Sequence, residues 1–284
     1  MPATTEMAKT CITVLVENTA GGPGLLAEHG LSYWIEWDAQ KVLLDTGQGN
    51  VLANNAYRLG IPLHETDAIV LSHGHYDHTG GLPEALKTNL LATVYAHPAV
   101  FTHKYARKSD GSARKIGLPD ATETILQSLY DRLVYTERPT PVADRLTVTG
   151  PVPRLTDFED TGGPFFLNHT CTKPDPLDDD QAVFFDTLEG TVVLLGCAHS
   201  GVINTLQYIR QLTADRPIRA VIGGMHLVMA SPERIARTIE ELQRLGVQQL
   251  ASGHCTGMPA TVALWNAFPG RCQPCSVGTR FEFD

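Results

Sequence analysis

The chain lacks any apolar run approaching the roughly 20 residues that span a bilayer, and its opening stretch, Met1 to Thr10, has no apolar core of signal-peptide length. No membrane association is expected, and the sequence reads as a cytoplasmic protein. Cysteine is scarce and scattered, 6 in 284 residues, which excludes a disulfide framework as the source of stability and makes reduced thiols the default. Cys272 and Cys275 form one CxxC, but no second pair stands at zinc-knuckle spacing, so a structural or incidental role is expected for it. Basic residues are outnumbered, 22 Lys and Arg against 31 Asp and Glu. The resulting net charge of −9 repels a polyanion. Nucleic acid is therefore not expected as a partner, whereas a small anionic substrate stays open, and nothing in the sequence sets an oligomeric state. Disorder is not expected either, since 43% hydrophobic residues suffice for a sizeable core.

What the sequence does contain is one dense cluster of ligand chemistry. The apolar run Ala68-Ile69-Val70-Leu71 reads as a buried strand and leads directly into Ser72-His73-Gly74-His75-Tyr76-Asp77-His78. Imidazole and carboxylate are metal-ligand types, and a strand end holds them on rigid backbone. His73 and His75, two apart, can point the same way from extended chain, while the turn that follows can carry Asp77 and His78 to a second position nearby. The spacing suits two ions.

The same arrangement recurs downstream. Thr191–Leu195 reads as a strand ending in Gly196-Cys197-Ala198-His199, Ala220–Ile222 as one ending in Gly223-Gly224-Met225-His226, and Val247–Ser252 as one ending in Gly253-His254. Between them lie a helix with Val202, Leu206 and Ile209 on one face and another with Ser231 as N-cap, Pro232 at its first position and a stripe of Ile235, Ile239 and Leu242. Upstream, Ile12–Val16, Ser32–Trp37, Lys41–Asp45 and Leu91–Ala96 read as strands, and Val51–Leu59 and Pro83–Lys87 as helices. Alternating strands and helices with polar strand ends imply an α/β protein with its chemistry along one edge of the sheets.

From His97 to about Phe166 the periodicity dissolves. Lys104, Arg107, Lys108, Arg114 and Lys115 gather there against a lone Asp110. Such side chains on an insertion either clamp a phosphate or carboxylate or simply face solvent. Phe101, His103, Tyr105, Phe165 and Phe166 either line the same pocket or pack the insertion onto the body.

Five stretches carry a resemblance: Glu28-His29-Gly30-Leu31-Ser32, the HGHYDHTGG run from His73, GCAHSGVINT from Gly196, GGMHL from Gly223 and GHCTG from Gly253. In this order, within residues 12 to 257, they resemble the dihydropterin-synthase-like metal-dependent hydrolases, a branch of the metallo-β-lactamase superfamily. The resemblance implies one α/β domain over residues 1–284, an αββα sandwich of the metallo-β-lactamase type with an inserted cap region at about 97–166. It also implies two divalent ions, for which zinc is expected and manganese or iron is compatible. Carried over by motif, His73, His75 and His199 hold the first ion and Asp77, His78 and His254 the second, while Asp45 lies beneath and orients ligands. The chain departs from the pattern at Gly196-Cys197, where many members place a bridging Asp. Cys197, His199 or a carboxylate of Asp178-Asp179-Asp180 can each fill that position.

The implied activity is dinuclear metal-dependent hydrolysis, in which a metal-bridging hydroxide oriented by Asp77 attacks the substrate. His226 is a candidate to protonate the leaving group or hold a phosphate, or is a structural histidine, and His29 carries the same ambiguity. The expected substrate is a phosphate-bearing small molecule, phosphodiester-like or pterin-related. Carboxylic ester, thioester or lactone hydrolysis is the rival within the fold, and an inactive metal- or ligand-binding protein is the rival outside it.

Overall fold

The computed structural model describes residues 9–284. The chain opens as an antiparallel meander of β1 (Thr10–Val16), β2 (Ser32–Trp37) and β3 (Gln40–Leu44), the last two joined by a tight turn in which Asp38 takes a left-handed φ of 48°. Next come α1 (Leu52–Leu59), β4 (Ala68–Val70), the one-turn α2 (Tyr76–Thr79), α3 (Leu82–Thr88) and β5 (Thr93–Ala96). Shorter elements follow: β6 (Tyr105–Arg107), β7 (Ala113–Lys115), α4 (Asp120–Ser128), β8 (Leu133–Tyr135), β9 (Thr140–Ala143), β10 (Leu146–Val148) and β11 (Phe165–Phe166). The remainder alternates through β12 (Ala182–Thr187), β13 (Gly190–Leu195), α5 (Val202–Leu212), β14 (Ile218–Gly223), α6 (Pro232–Arg244), β15 (Gln249–Ser252), α7 (Met258–Ala267) and β16 (Arg280–Phe283).

Two sheets form the body, one in the order β16-β1-β2-β3-β4-β5-β8 and the other β15-β14-β13-β12-β10-β9. The period-two alternation of the strands decides how they stack. Val192 and Leu194 on β13 join Val14, Ile35, Leu44 and Val70 of the opposite sheet in one core, whereas Val193 and Leu195 turn outward onto Ile203, Leu206, Leu242 and Leu264 of α5, α6 and α7. On the far side Trp34, Leu43 and Ile69 pack under Leu52, Leu82 and Leu86 of α1 and α3. Both sheets are thus covered on both faces, which is the expected αββα sandwich. Fully burying each such Val or Leu contributes about 1.5–3 kcal/mol, so three stacked apolar layers hold the strand ends in register. β3–β5 in the first sheet and β13–β15 in the second run parallel to one another and deliver their C-terminal ends to one edge.

The stretch 97–166 is more ordered than its sequence suggests. β8 closes one edge of the first sheet, β9 and β10 extend the second, and α4 packs Leu126 into the outer core. Strands of three or four residues are too short to show alternation, and Pro141 in β9 is tolerated because that strand is a sheet edge. A separate small sheet, β11-β6-β7, stands over the strand ends. α7 and β16 lie where the motifs gave no expectation. All six cysteines are free thiols, with Cys275 buried beside the Tyr33 hydroxyl at 3.6 Å, in keeping with a structural CxxC. Among the described residues no helix is long and apolar enough to cross a membrane.

Candidate metal centre

β4 ends at Val70, and the backbone that follows carries His73, His75, Asp77 and His78 into the sandwich edge, where β13 delivers Cys197 and His199, β14 delivers His226 and β15 delivers His254. All but His226 are buried. Donor atoms of His73, Cys197 and His199 lie within 4.8 Å of one another, and so do those of His78, Cys197 and His254 and those of Cys197, His226 and Cys255, so the Cys197 thiol is common to three sets. A further set joins His29, Asp77 and His254. Asp77 Oδ2 stands 3.6 Å from His254 Nε2 and 4.0 Å from His78 Nε2. His75 sits against the first set, its Nδ1 2.9 Å from His73 Nε2 and its ring 4.9 Å from that of His199.

The hydrogen bonds at the far side of each ring determine which nitrogen is free. His78 Nδ1 donates to Asp45 Oδ2 at 2.7 Å, His199 Nδ1 to the Thr161 carbonyl at 2.8 Å, and His254 Nδ1 to Asn18 Oδ1 at 3.0 Å. Ser72 Oγ donates its own proton to Asp45 Oδ2 at 2.6 Å, so at 3.0 Å it accepts from His73 Nδ1. Each acceptor commits the Nδ1 proton, which leaves the Nε2 lone pair facing the cluster. His78 and His254 then oppose two lone pairs at 3.1 Å, with the Cys197 sulfur 3.2 Å from the first. Only a proton or a cation between them makes that arrangement favourable. The buried Nε2 atoms of His75 and His199 have no hydrogen-bond partner either. The residues fit bound cations.

Electrostatics point the same way. Burial is the chief cause that pushes His73, His75 and His199 well below the ordinary histidine value and His254 down to about 4, so these imidazoles are neutral donors. Burial also acts against a charge on His78, but the Asp45 carboxylate outweighs it and raises that group to about 9. A cation at Nε2 would take the place of the second proton. Burial likewise opposes the Asp77 anion, yet the His29 hydrogen bond and the surrounding imidazoles hold its pKa below the usual carboxylate range. His29 reaches it at 3.1 Å.

Several expectations are corrected. Asp178-Asp179-Asp180 does not reach the cluster. Asp178 is exposed, Asp179 accepts from the Gly74 amide at 2.6 Å, and Asp180 accepts from the amides of His199 and Ser200 at 2.9 and 2.8 Å. These carboxylates position the ligand loops. Lys104, grouped with the basic clamp, is fully buried and pairs with Asp179 at 2.7 Å and Asp175 at 3.3 Å, behind Gly74. Asp45 does lie beneath the cluster. Glu17, which accepts from the His254 amide at 2.6 Å, together with Asn18 and Thr161, carries no motif and was not legible. His226 takes a left-handed φ of 43°, stacks 4.2 Å from His199 and faces Cys197 and Cys255. His29, His75, Tyr76, Asp77, Arg114, Phe165, His226 and His254 are among the residues lining a cavity of about 440 Å³ over the site.

The family model of the metallo-beta-lactamase superfamily matches residues 26–227. The chain belongs to that superfamily. Within the superfamily it is 30% identical to the 7,8-dihydropterin-6-methyl-4-(beta-D-ribofuranosyl)-aminobenzene-5'-phosphate synthase of Methanocaldococcus jannaschii, over 96% of each chain. The structure of Tm1679, described as a metal-dependent hydrolase of the beta-lactamase superfamily, superposes with a TM-score of 0.79 at 29% identity, covering 96% of this chain and 98% of that one. A diphosphatase of the PhnP family shares the metallo-beta-lactamase fold at a TM-score of 0.54 and 15% identity, over 97% and 98% of the two chains.

Proposed function

We propose that the chain is a dinuclear metal-dependent hydrolase acting on a phosphate-bearing small molecule. Metal-dependent hydrolysis follows from membership of the superfamily. The finer reading rests on one observation: imidazoles whose Nδ1 protons are committed elsewhere turn their Nε2 lone pairs into two donor sets that share one thiol. His73, His75 and His199 would hold one ion, and Asp77, His78 and His254 the other, with Cys197 available to both where relatives place a carboxylate. Nitrogen, thiolate and carboxylate donors together suit zinc, and iron or manganese is compatible. Ions held there would supply Lewis acidity and lower the pKa of a water that could act as nucleophile.

The chain's own residues do the rest. Asp77, kept ionised by His29, accepts a hydrogen bond from the attacking water and fixes its direction. His226, which lines the cavity beside His199, would be the group that protonates a leaving group. Phe165, 5.3 Å from the His75 and His199 rings, covers the first donor set and limits water to the cavity. The M. jannaschii relative is named for a 5'-phosphate product, which favours phosphate over a neutral ester. Six free thiols suit a reducing compartment, and we place the protein in the cytoplasm.

The test is turnover of chromogenic phosphodiesters, carboxylic esters and lactones by chelated protein and by protein reloaded with zinc, manganese or iron. Metal-dependent phosphodiester cleavage that is lost in His75→Ala, with an unchanged circular dichroism spectrum, is expected. Preference for esters or lactones would move the substrate class. No turnover with two ions bound would sink the general hydrolase reading.

A further inference from the structure

Of the five basic residues between 104 and 115, four are engaged elsewhere or stand away from the cavity. Lys104 is buried with its two aspartates. Arg107 donates to the Cys171 carbonyl at 2.5 Å and lies 4.5 Å over the Phe166 ring. Lys115 pairs with Asp120 at 2.8 Å, and Lys108 sits on the exposed turn between β6 and β7, outside the cavity lining. Arg114 is different. It lines the cavity with His75 and Asp77, and among the described residues it meets no carboxylate. Its guanidinium donates to Tyr76 Oη at 2.7 Å and lies 4.9 Å over the Tyr76 ring. Tyr76 in turn stands between His75 and Asp77 in sequence, so the guanidinium is tethered to the same turn that presents two site residues.

This tether leaves most of the guanidinium N–H donors free, and it leaves the Tyr76 hydroxyl proton free to donate. Asp77, next to Tyr76 in sequence, is already bonded by His29, and Asp110, the acid nearest Arg114 in sequence, accepts from the Ser112 amide and hydroxyl. Ile116, Phe165 and Val228 supply apolar wall in the same cavity. We propose that Arg114 and Tyr76 form an anion subsite at the cavity rim, which binds a phosphate or carboxylate group carried on an apolar body. The inference rests on the cavity being the substrate site of the proposed hydrolase and names what that substrate must carry. An arginine fork matches either anion in a bidentate manner, and an uncompensated charge beside an apolar wall favours an anionic ligand over a neutral one.

The experiment is calorimetric binding of phenyl phosphate, benzoate and benzyl alcohol to the metal-loaded chain and to the chelated chain, in wild type, Arg114→Ala, Arg114→Lys, Tyr76→Phe and Arg107→Ala. Arg114→Ala is expected to weaken at least one of the two anions by about 10- to 100-fold, with benzyl alcohol unchanged. Arg114→Lys should lose part of this, because an ammonium cannot reproduce the fork, and Tyr76→Phe should lose less than Arg114→Ala. The anion that falls more identifies the natural group. Equal losses for the anions and benzyl alcohol, no loss for either anion, or an equal loss in Arg107→Ala would overturn the subsite. Binding is read without turnover, so the two proposals fail separately: absent hydrolysis with Arg114-dependent binding removes the hydrolase, and hydrolysis with Arg114-independent binding removes only the subsite.

Discussion

Asp45 shows how much one buried side chain decides at this centre. Its Oδ2 accepts from His78 Nδ1 and Ser72 Oγ, its Oδ1 accepts from the Ser72 amide at 2.7 Å, and through Ser72 it also sets the tautomer of His73. One carboxylate therefore orients a ligand in each donor set. Asp45→Asn keeps the shape but offers an N–H where two donors already point, so the His78 and His73 lone pairs lose their fixed direction. We expect affinity for the bound ions to fall by about 10- to 100-fold, measured by competition with a chromogenic chelator. An unchanged affinity would mean that the ligands hold their orientation without Asp45. At this scale the clustered histidines themselves were legible, because histidines at strand ends form a short motif. Asn18, Glu17, Thr161 and Asp180, which hold those histidines, were not, since each reaches its histidine through hydrogen bonds across 19 or more residues that leave no local pattern.

Helix α5 begins immediately after the ligand turn, and its start depends on a residue from a distant loop. Glu159 accepts from the amides of Ile203 and Asn204, both at 2.9 Å, and so satisfies two of the orphan donors at the helix N-terminus. Gly201, with φ 97°, leads the chain into the helix where any Cβ would overlap that carboxylate. Burial raises the Glu159 carboxyl above its ordinary value of 4.5, outweighing the two amides that favour its anion. With the folded pKa raised above the unfolded one, the group's contribution to stability is fully present below 4.5 and is lost as pH rises through the folded value. The stability difference between wild type and Glu159→Gln should therefore shrink from acid to neutral pH, read from urea midpoints, and a difference that grows with pH would reverse the assignment. The sequence announced α6 through Ser231, whose side chain accepts from the Arg234 amide at 3.2 Å, because an N-cap serine is a local signal. The cap on α5 comes from 44 residues away and is not local.

For the whole molecule, the candidate centre is also a joint, since its clustered side chains come from both sheets of the sandwich. Cations that bind the folded edge and not the open chain should stabilise the fold by about 2.7 kcal/mol at a hundredfold excess over Kd. Reloading the chelated protein is expected to raise its thermal midpoint and to give two ions per chain by elemental analysis. A single ion per chain, or a midpoint indifferent to metal, would contradict the dinuclear joint. By itself the sequence determined the α/β alternation and the strand-end histidines, because hydrophobic alternation and short motifs are local properties that folding preserves, and it implied the sandwich only through the family those motifs resemble. Only the tertiary structure decided that the Cys197 thiol lies between His73 and His199 on one side and His78 and His254 on the other, that Asp179 and Asp180 brace loops, and that Lys104 is buried while Arg114 faces the cavity. Those outcomes depend on which strand ends meet, and no spacing along one chain encodes the distance between side chains contributed by different strands.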